Sequence, residues 1–330
     1  MGVRKLSYAG RLVLINSILN TLHNYWSSIF LIPKSVIKRI EVICRNFMWS
    51  GDNEYHRCPL VAWDKVCCSK KDGGLNIKEA GVWNIVTVGK LVNWIYTKAD
   101  RLWVLWIDHV YMKGADWHTY SPPPDSNWNW RNICRVKDTL RGGFIDGQWI
   151  PNSKGYFVGT RYHWLQGPHP PAQWYKTVWD NWNVPKHSFN GWLIMQRGLQ
   201  TKEKLMHLGI CTSDHCVLCE QAVETHTHLF RSCTYSSQII TGIEQWLHLH
   251  FQHQNGYSKL QKSVCRMACM ACWYYIWQER NSCRLNLALT SPPKKITDLK
   301  HCIRTRLLQK ISPRVPNRDK VWLQQLDIHL

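Results

Sequence analysis

Acidic residues are scarce in this chain: 22 Asp+Glu stand against 42 Lys+Arg, for a formal net charge of +20 over 330 residues. No two aspartates are adjacent, so the side-by-side carboxylates that polymerising phosphoryl transfer uses to hold two divalent ions have no counterpart here. Gly-x-Ser-x-Gly and Walker-type phosphate loops are also missing. The segment Met1 to Ser7 lacks the apolar core of a signal peptide, and no uninterrupted apolar run is long enough to span a bilayer. The expectation is an intracellular protein with no membrane partner, the nucleus being a candidate compartment. In that reducing setting the 14 cysteines are expected as thiols or metal ligands, not as a disulfide framework.

What the chain does have is apolar mass and positive charge. A hydrophobic content of 45% over this length can bury a substantial core, which excludes a disordered chain. Basic residues recur throughout, at Lys65, Lys70 and Lys71, across Arg131 to Arg141, Lys294 to Lys300 and Arg304 to Arg314. A broad basic surface neutralises phosphates and binds polyanions in a salt-sensitive way. Charge alone supports scattered solvated lysines equally well.

The periodicity predicts a mainly α fold with a small α+β connector. Leu12, Ile15, Leu19 and Leu22 repeat at helical spacing behind Ser7, and Ile37, Ile40, Cys44, Phe47 and Met48 form a second stripe between Pro33 and the Ser50-Gly51-Asp52-Asn53 turn. Beyond the Asp72-Gly73-Gly74 turn, Ile77 to Tyr96 and Leu102 to Tyr111 continue the helical pattern. Residues 1–115 are therefore expected as a helical region. Prolines 122–124 and glycines 142, 143, 147 and 155 make 116–165 an irregular connector, with short strands at Gln148 to Ile150 and Tyr156 to Tyr162. A boundary is placed at the Gly167-Pro168-His169-Pro170-Pro171 stretch. Residues 166–250 are then a Trp-rich domain ending in a Cys/His cluster, and 251–330 a long helix, Val264 to Leu289, followed by a basic helical tail around Asp298 to Gln309.

Cys216-Val217-Leu218-Cys219 puts two thiols on one tight turn, as zinc knuckles do, and His228 with Cys233 supplies a second pair. Three thiolates and one imidazole close a tetrahedron and leave no position for water, so such a site is a staple without chemistry. His226, Cys211 and His215 lie close enough in sequence to compete as ligands. Cys265, Cys269 and Cys272 share one helix face and read as core, and Cys58, Cys67 and Cys68 lack a histidine pair. Asp64, Asp72, Asp108 and Asp116 read as surface or cap residues. Among 20 tryptophans, Trp273 and Trp277 share a helix face with Arg280 and Arg284, an aromatic and basic edge suited to stacking on RNA. Packing of those tryptophans against the Cys/His domain is an equal alternative.

Several blocks stand in an order that resembles the C-terminal part of plant non-LTR (LINE-type) retrotransposon reverse transcriptases. They are Leu6-Ser7-Tyr8-Ala9-Gly10-Arg11 with Leu14-Ile15, Phe47-Met48-Trp49-Ser50-Gly51, and Gly73-Gly74-Leu75-Asn76-Ile77. Val178-Trp179-Asp180, Pro185-Lys186-His187-Ser188-Phe189, the Cys216 to Cys233 cluster with Glu224-Thr225, and Ile276-Trp277-Gln278-Glu279-Arg280-Asn281 complete the set. Asn190 is polar where such sequences more usually carry an apolar residue. The resemblance covers roughly residues 4 to 284. It implies zinc held by Cys216, Cys219, His228 and Cys233, thumb-like and linker helices before them, and a role in gripping RNA or DNA.

By the same resemblance, fingers, palm and endonuclease would lie upstream, and the Tyr-x-Asp-Asp palm signature is absent. The resulting expectation is a non-catalytic, nucleic-acid-binding module with one structural zinc. Two alternatives are an accessory part that works with a palm supplied in trans and a truncated gene product with no function.

Overall fold

In the computed structural model, residues 6–19, 24–51, 58–145, 155–285, 288–312 and 314–328 are described. The described part of the chain is mainly helical. Its helices are α1 (Tyr8–Leu14), α2 (Asn24–Ser27), α3 (Lys34–Ser50), α4 (Trp63–Cys67), α5 (Ala80–Tyr96), α6 (Leu102–Ile107), α7 (Trp128–Ile145) and α8 (Val158–Gln166). They continue with α9 (Tyr175–Val178), α10 (Pro185–Met195), α11 (Lys202–His207), α12 (Thr234–Leu247), α13 (Lys259–Arg284), α14 (Pro292–Lys310) and α15 (Asn317–Gln325). Three π-helical turns, Ile15–Leu19, Asp108–Met112 and His228–Ser232, follow α1, follow α6 and precede α12. Among the described residues β structure is limited to one antiparallel bridge, His215 with Val223. None of these helices is long and apolar enough to cross a membrane.

The chain forms two compact units, one made chiefly of residues 10–171 and the other chiefly of 172–330. Helix α5 organises the first. Its sequence is apolar on nearly every face, as expected of a helix covered on several sides. It packs against α2, α3, α7 and α8. Val88, Val92 and Ile95 join Ile107, Met112, Trp117, Trp130, Ile133 and Leu140 in a single core, where Tyr111 stacks on Trp130 at 4.9 Å. One buried amide of this unit is satisfied entirely by the backbone around it. Asn84, buried on α5, donates to the Ser27 and Phe30 carbonyls and accepts from the Ile32 amide, which fixes the segment leading into α3.

The helical stripe expected from Leu6 to Leu22 is present as α1 and its π-helical turn, with Leu22 outside the described residues. The stripe from Ile37 to Met48 lies within α3, which stops at Gly51, a left-handed C-cap (φ 77°). The connector expectation needs correction. Residues 128–145 and 158–166 are helices, and the strand expected at Tyr156 to Tyr162 is instead the entry to α8. The Gln148 to Ile150 segment lies outside the described residues. Tertiary packing outweighs the glycine penalty here: Gly142 faces the Trp164 indole, and the Tyr162 hydroxyl accepts the Glu79 amide at 2.9 Å.

Helix α13 organises the second unit, packing against α9, α10, α12 and α14. It starts at a capping box in which the Ser258 side chain accepts the Gln261 amide and the Gln261 side chain accepts the Ser258 amide. Val264, Cys265, Ala268, Cys272 and Ile276 are buried along it, so Cys265 and Cys272 are core residues, while Cys269 is half-buried. This helix ends at Arg284, short of the expected Leu289. The tail helix α14 begins earlier than expected, with prolines in its first turn, where a missing amide costs nothing.

Candidate metal centre

The segment 214–233 builds a compact two-part cradle. The backbone bridge at His215 and Val223 is reinforced by the Cys216 amide donating to the Ala222 carbonyl (2.8 Å) and the Glu224 amide to Asp214 (2.7 Å). The turn closes because the Glu220 amide donates back to the Cys216 carbonyl (2.8 Å), with Glu220 in the left-handed region at φ 57°. This places the Cys216 and Cys219 thiols together on one knuckle.

The second half comes from the π-helical turn at His228–Ser232. The Thr225 hydroxyl accepts the His228 amide at 2.9 Å and starts that turn, and the Cys233 amide closes it on the His228 carbonyl at 2.8 Å. An i to i+5 hydrogen bond puts His228 and Cys233 one wide turn apart. Cys233 then serves as the N-cap position of α12.

The four ligand atoms converge. Cys216 Sγ lies 3.9 Å from Cys233 Sγ, Cys219 Sγ lies 3.2 Å from His228 Nε2, and all four atoms are within 4.8 Å of one another. A tetrahedral zinc with Zn–S bonds of about 2.3 Å sets sulfurs roughly 3.8 Å apart. The cluster therefore fits zinc in both donor type and spacing. Cys216 and Cys233 are fully buried, whereas Cys219 and His228 are half-buried. The hydrogen bond between the two thiols favours one thiolate in the pair, holding the Cys233 thiol below the ordinary cysteine range and pushing the Cys216 thiol above it, with Ser236 helping and burial opposing at Cys233. Thiolate character, which a metal requires, is thus already favoured at one corner.

The competing ligands lie elsewhere. His215 is exposed and pairs with Asp214 at 3.1 Å. Cys211 points its thiol at the Lys202 and Ser213 carbonyls. His226 turns its ring inward, where burial first, then Lys204, Arg197 and Arg280, push its pKa down to about 4.

The aromatic and basic edge on α13 is only partly at the surface. Arg280 is fully buried, so its assignment to nucleic-acid contact is corrected. Its Nε and Nη2 donate to Glu224 Oε1 at 2.8 and 2.6 Å, and its guanidinium stacks over Trp277 at 4.7 Å. The same Glu224 oxygen accepts the Lys202 amide at 2.8 Å. Trp273 packs against Phe230 at 6.1 Å, while Arg284 remains exposed. Next to Arg280, Glu279 pairs with Lys295 at 2.7 Å and accepts the Thr290 amide. The Trp-Gln-Glu-Arg-Asn block is therefore a clamp on the zinc segment and on the start of α14. Glu224 stands in the sequence beside the cluster together with Asp214 and Glu220, and its pairing with Arg280 is a tertiary contact that local spacing does not signal.

Residues 156–239 match the family described as zinc-binding in reverse transcriptase. The chain is 30% identical over 168 residues to an Arabidopsis thaliana protein provisionally named a ribonuclease H protein, an overlap of 50% of this chain and 26% of that one. It is 25% identical over 126 residues to an uncharacterised mitochondrial protein of the same plant, 37% of this chain and 79% of the relative. The chain thus spans about a quarter of the length of the first relative. No solved structure matches it. Together with the cluster, these matches relate the chain to the C-terminal part of retrotransposon reverse transcriptases, whose zinc-binding segment it carries.

Proposed function

We propose that this chain is a non-catalytic module that grips RNA or DNA, with one structural zinc holding its second unit together. The convergent Cys216, Cys219, His228 and Cys233 cluster carries the reading, set in a chain of net charge +20. Zinc supplies folding free energy there by tying the knuckle to the start of α12. Exposed Lys176, Lys186, Arg197 and Arg231 on the same unit offer phosphate contacts. Among the described residues this is the one group of metal-ligating side chains that comes together, and it contains no carboxylate of the kind two-metal chemistry uses. Ribonuclease H activity belongs to the name of a relative of which this chain spans a quarter, and no such step is assigned here.

Filter binding of single-stranded RNA over a salt series tests the proposal. Neutralising Z phosphates gives a log–log slope of roughly −0.7Z, so the expected result is a steep fall in affinity with salt. Absent or salt-independent binding would contradict it. A second reading, drawn from the match to the zinc-binding segment of reverse transcriptases, is that the module assists a palm supplied in trans. Adding the chain to a palm fragment should then raise primer extension, and no gain counts against this reading.

A further inference from the structure

Within the second unit, a cleft of about 380 Å³ lies between the start of α13 and the segment joining α14 to α15. Its lining combines an indole, Trp182, three cations, Lys259, Lys310 and Arg314, and one carboxylate, Asp319. All three cations are exposed, so their charge sits at the mouth. Trp182 is half-buried and held by its surroundings: its amide donates to Asp180 at 3.0 Å, and Arg306 donates to the Trp182 and Asn183 carbonyls at 2.9 and 3.1 Å. Asp180 is itself anchored by Arg266 at 3.1 Å. The backbone that carries the indole is fixed in this way, so little chain freedom is lost when a flat ring stacks on Trp182.

Asp319 is 3% exposed, and its Oδ1 is buried without a hydrogen-bond partner. A buried acceptor left unpaired costs free energy that a ligand donor can recover. The carboxylate repels a phosphate, whereas the cations at the mouth attract one. A ligand therefore enters with its N–H-bearing ring inward and its phosphate outward. The first turn of α13, a 26-residue helix, adds its positive pole on the cation side.

We propose that this cleft receives one nucleotide of an unpaired nucleic-acid strand, its base stacked on Trp182 and its phosphate held by Lys259, Lys310 and Arg314. The base donates an amino or imino N–H to Asp319 Oδ1. This rests on the reading of the chain as a nucleic-acid-binding module and gives that reading a location and a preference for single strands.

The test uses the full chain and two fluorescein-labelled eight-residue DNA strands of equal phosphate count, one with bases and one wholly abasic, with affinity read by fluorescence anisotropy. The unchanged chain should bind the base-containing strand about tenfold more tightly, the scale of one base–aromatic stack. Trp182→Ala should remove that preference and leave abasic binding near its original value. Lys310→Ala with Arg314→Ala, both at exposed positions, should weaken both strands and lower the salt slope by about one per lost phosphate contact. Zinc content and circular dichroism identify a variant that has not folded, in which case the lysine–arginine pair decides alone. If folded variants bind the base-containing strand as the unchanged chain does, the cleft is not the site, and the module reading stands. Binding of neither strand by the unchanged chain overturns both.

Discussion

Arg280 and Glu224 are both fully buried, which makes their pairing costly to break from one side. Replacing Arg280 by Met leaves a carboxylate without its counter-ion, and the expected loss of stability is about 3–5 kcal/mol by chemical denaturation. The Glu224→Gln, Arg280→Met double variant should lose less than the sum of the two single losses, because each single change already removes the pair. His187 offers a test of opposite character. Its ring is buried against Tyr274 at 4.5 Å with both nitrogens unpartnered, and burial, then Lys186 and Arg306, push its pKa down to about 3. The unfolded chain takes up that proton below an ordinary histidine pKa near 6.5, while the folded chain does not. Stability is therefore unaffected above pH 6.5 and falls as pH drops toward 3, by about 1.4 kcal/mol per pH unit. His187→Phe should flatten that part of a stability–pH curve; an unchanged curve would count against a buried neutral imidazole. At this scale, ligands close in sequence were legible, since a knuckle and a short turn bring 216, 219, 228 and 233 together locally. The Glu224–Arg280 pair was not, because its partners stand 56 residues apart and only tertiary packing joins them.

Helix α3 was legible from its apolar stripe and its Gly51 stop, and α13 from its run of small and apolar residues. Helices α7 and α8 were hidden by Gly142, Gly143, Gly147 and Gly155, which read as breaks, whereas both helices form by packing on α5. The Asp72-Gly73-Gly74 turn shows a glycine whose role is steric. A Cβ on Gly74 would collide with the Cys68 carbonyl, a backbone atom with little room to yield, while the Gly74 amide donates to Ser69 at 2.8 Å. Gly74→Ala is expected to cost about 1–3 kcal/mol, the range for overpacking, with zinc content unchanged because the turn belongs to the first unit. A thermal melt and metal analysis on the same sample check both halves of that expectation.

For the molecule as a whole, charge and metal act at different ranges. The net charge of +20 acts over about a Debye length, roughly 8 Å at physiological salt, the range over which the proposed polyanion partner would be attracted. A zinc ion in the Cys/His cluster would act only locally, by joining two short segments that contain no regular sheet and little helix of their own. Without metal, the sulfurs of Cys216, Cys219 and Cys233 would lie beside His228 with no bond tying them together to hold α12 in place. The most direct test is metal analysis of the purified full chain beside its Cys216→Ser, Cys219→Ser variant. One zinc per chain is expected, lost in the variant together with the folded structure of residues 202–247. A folded chain that contains no zinc would contradict it.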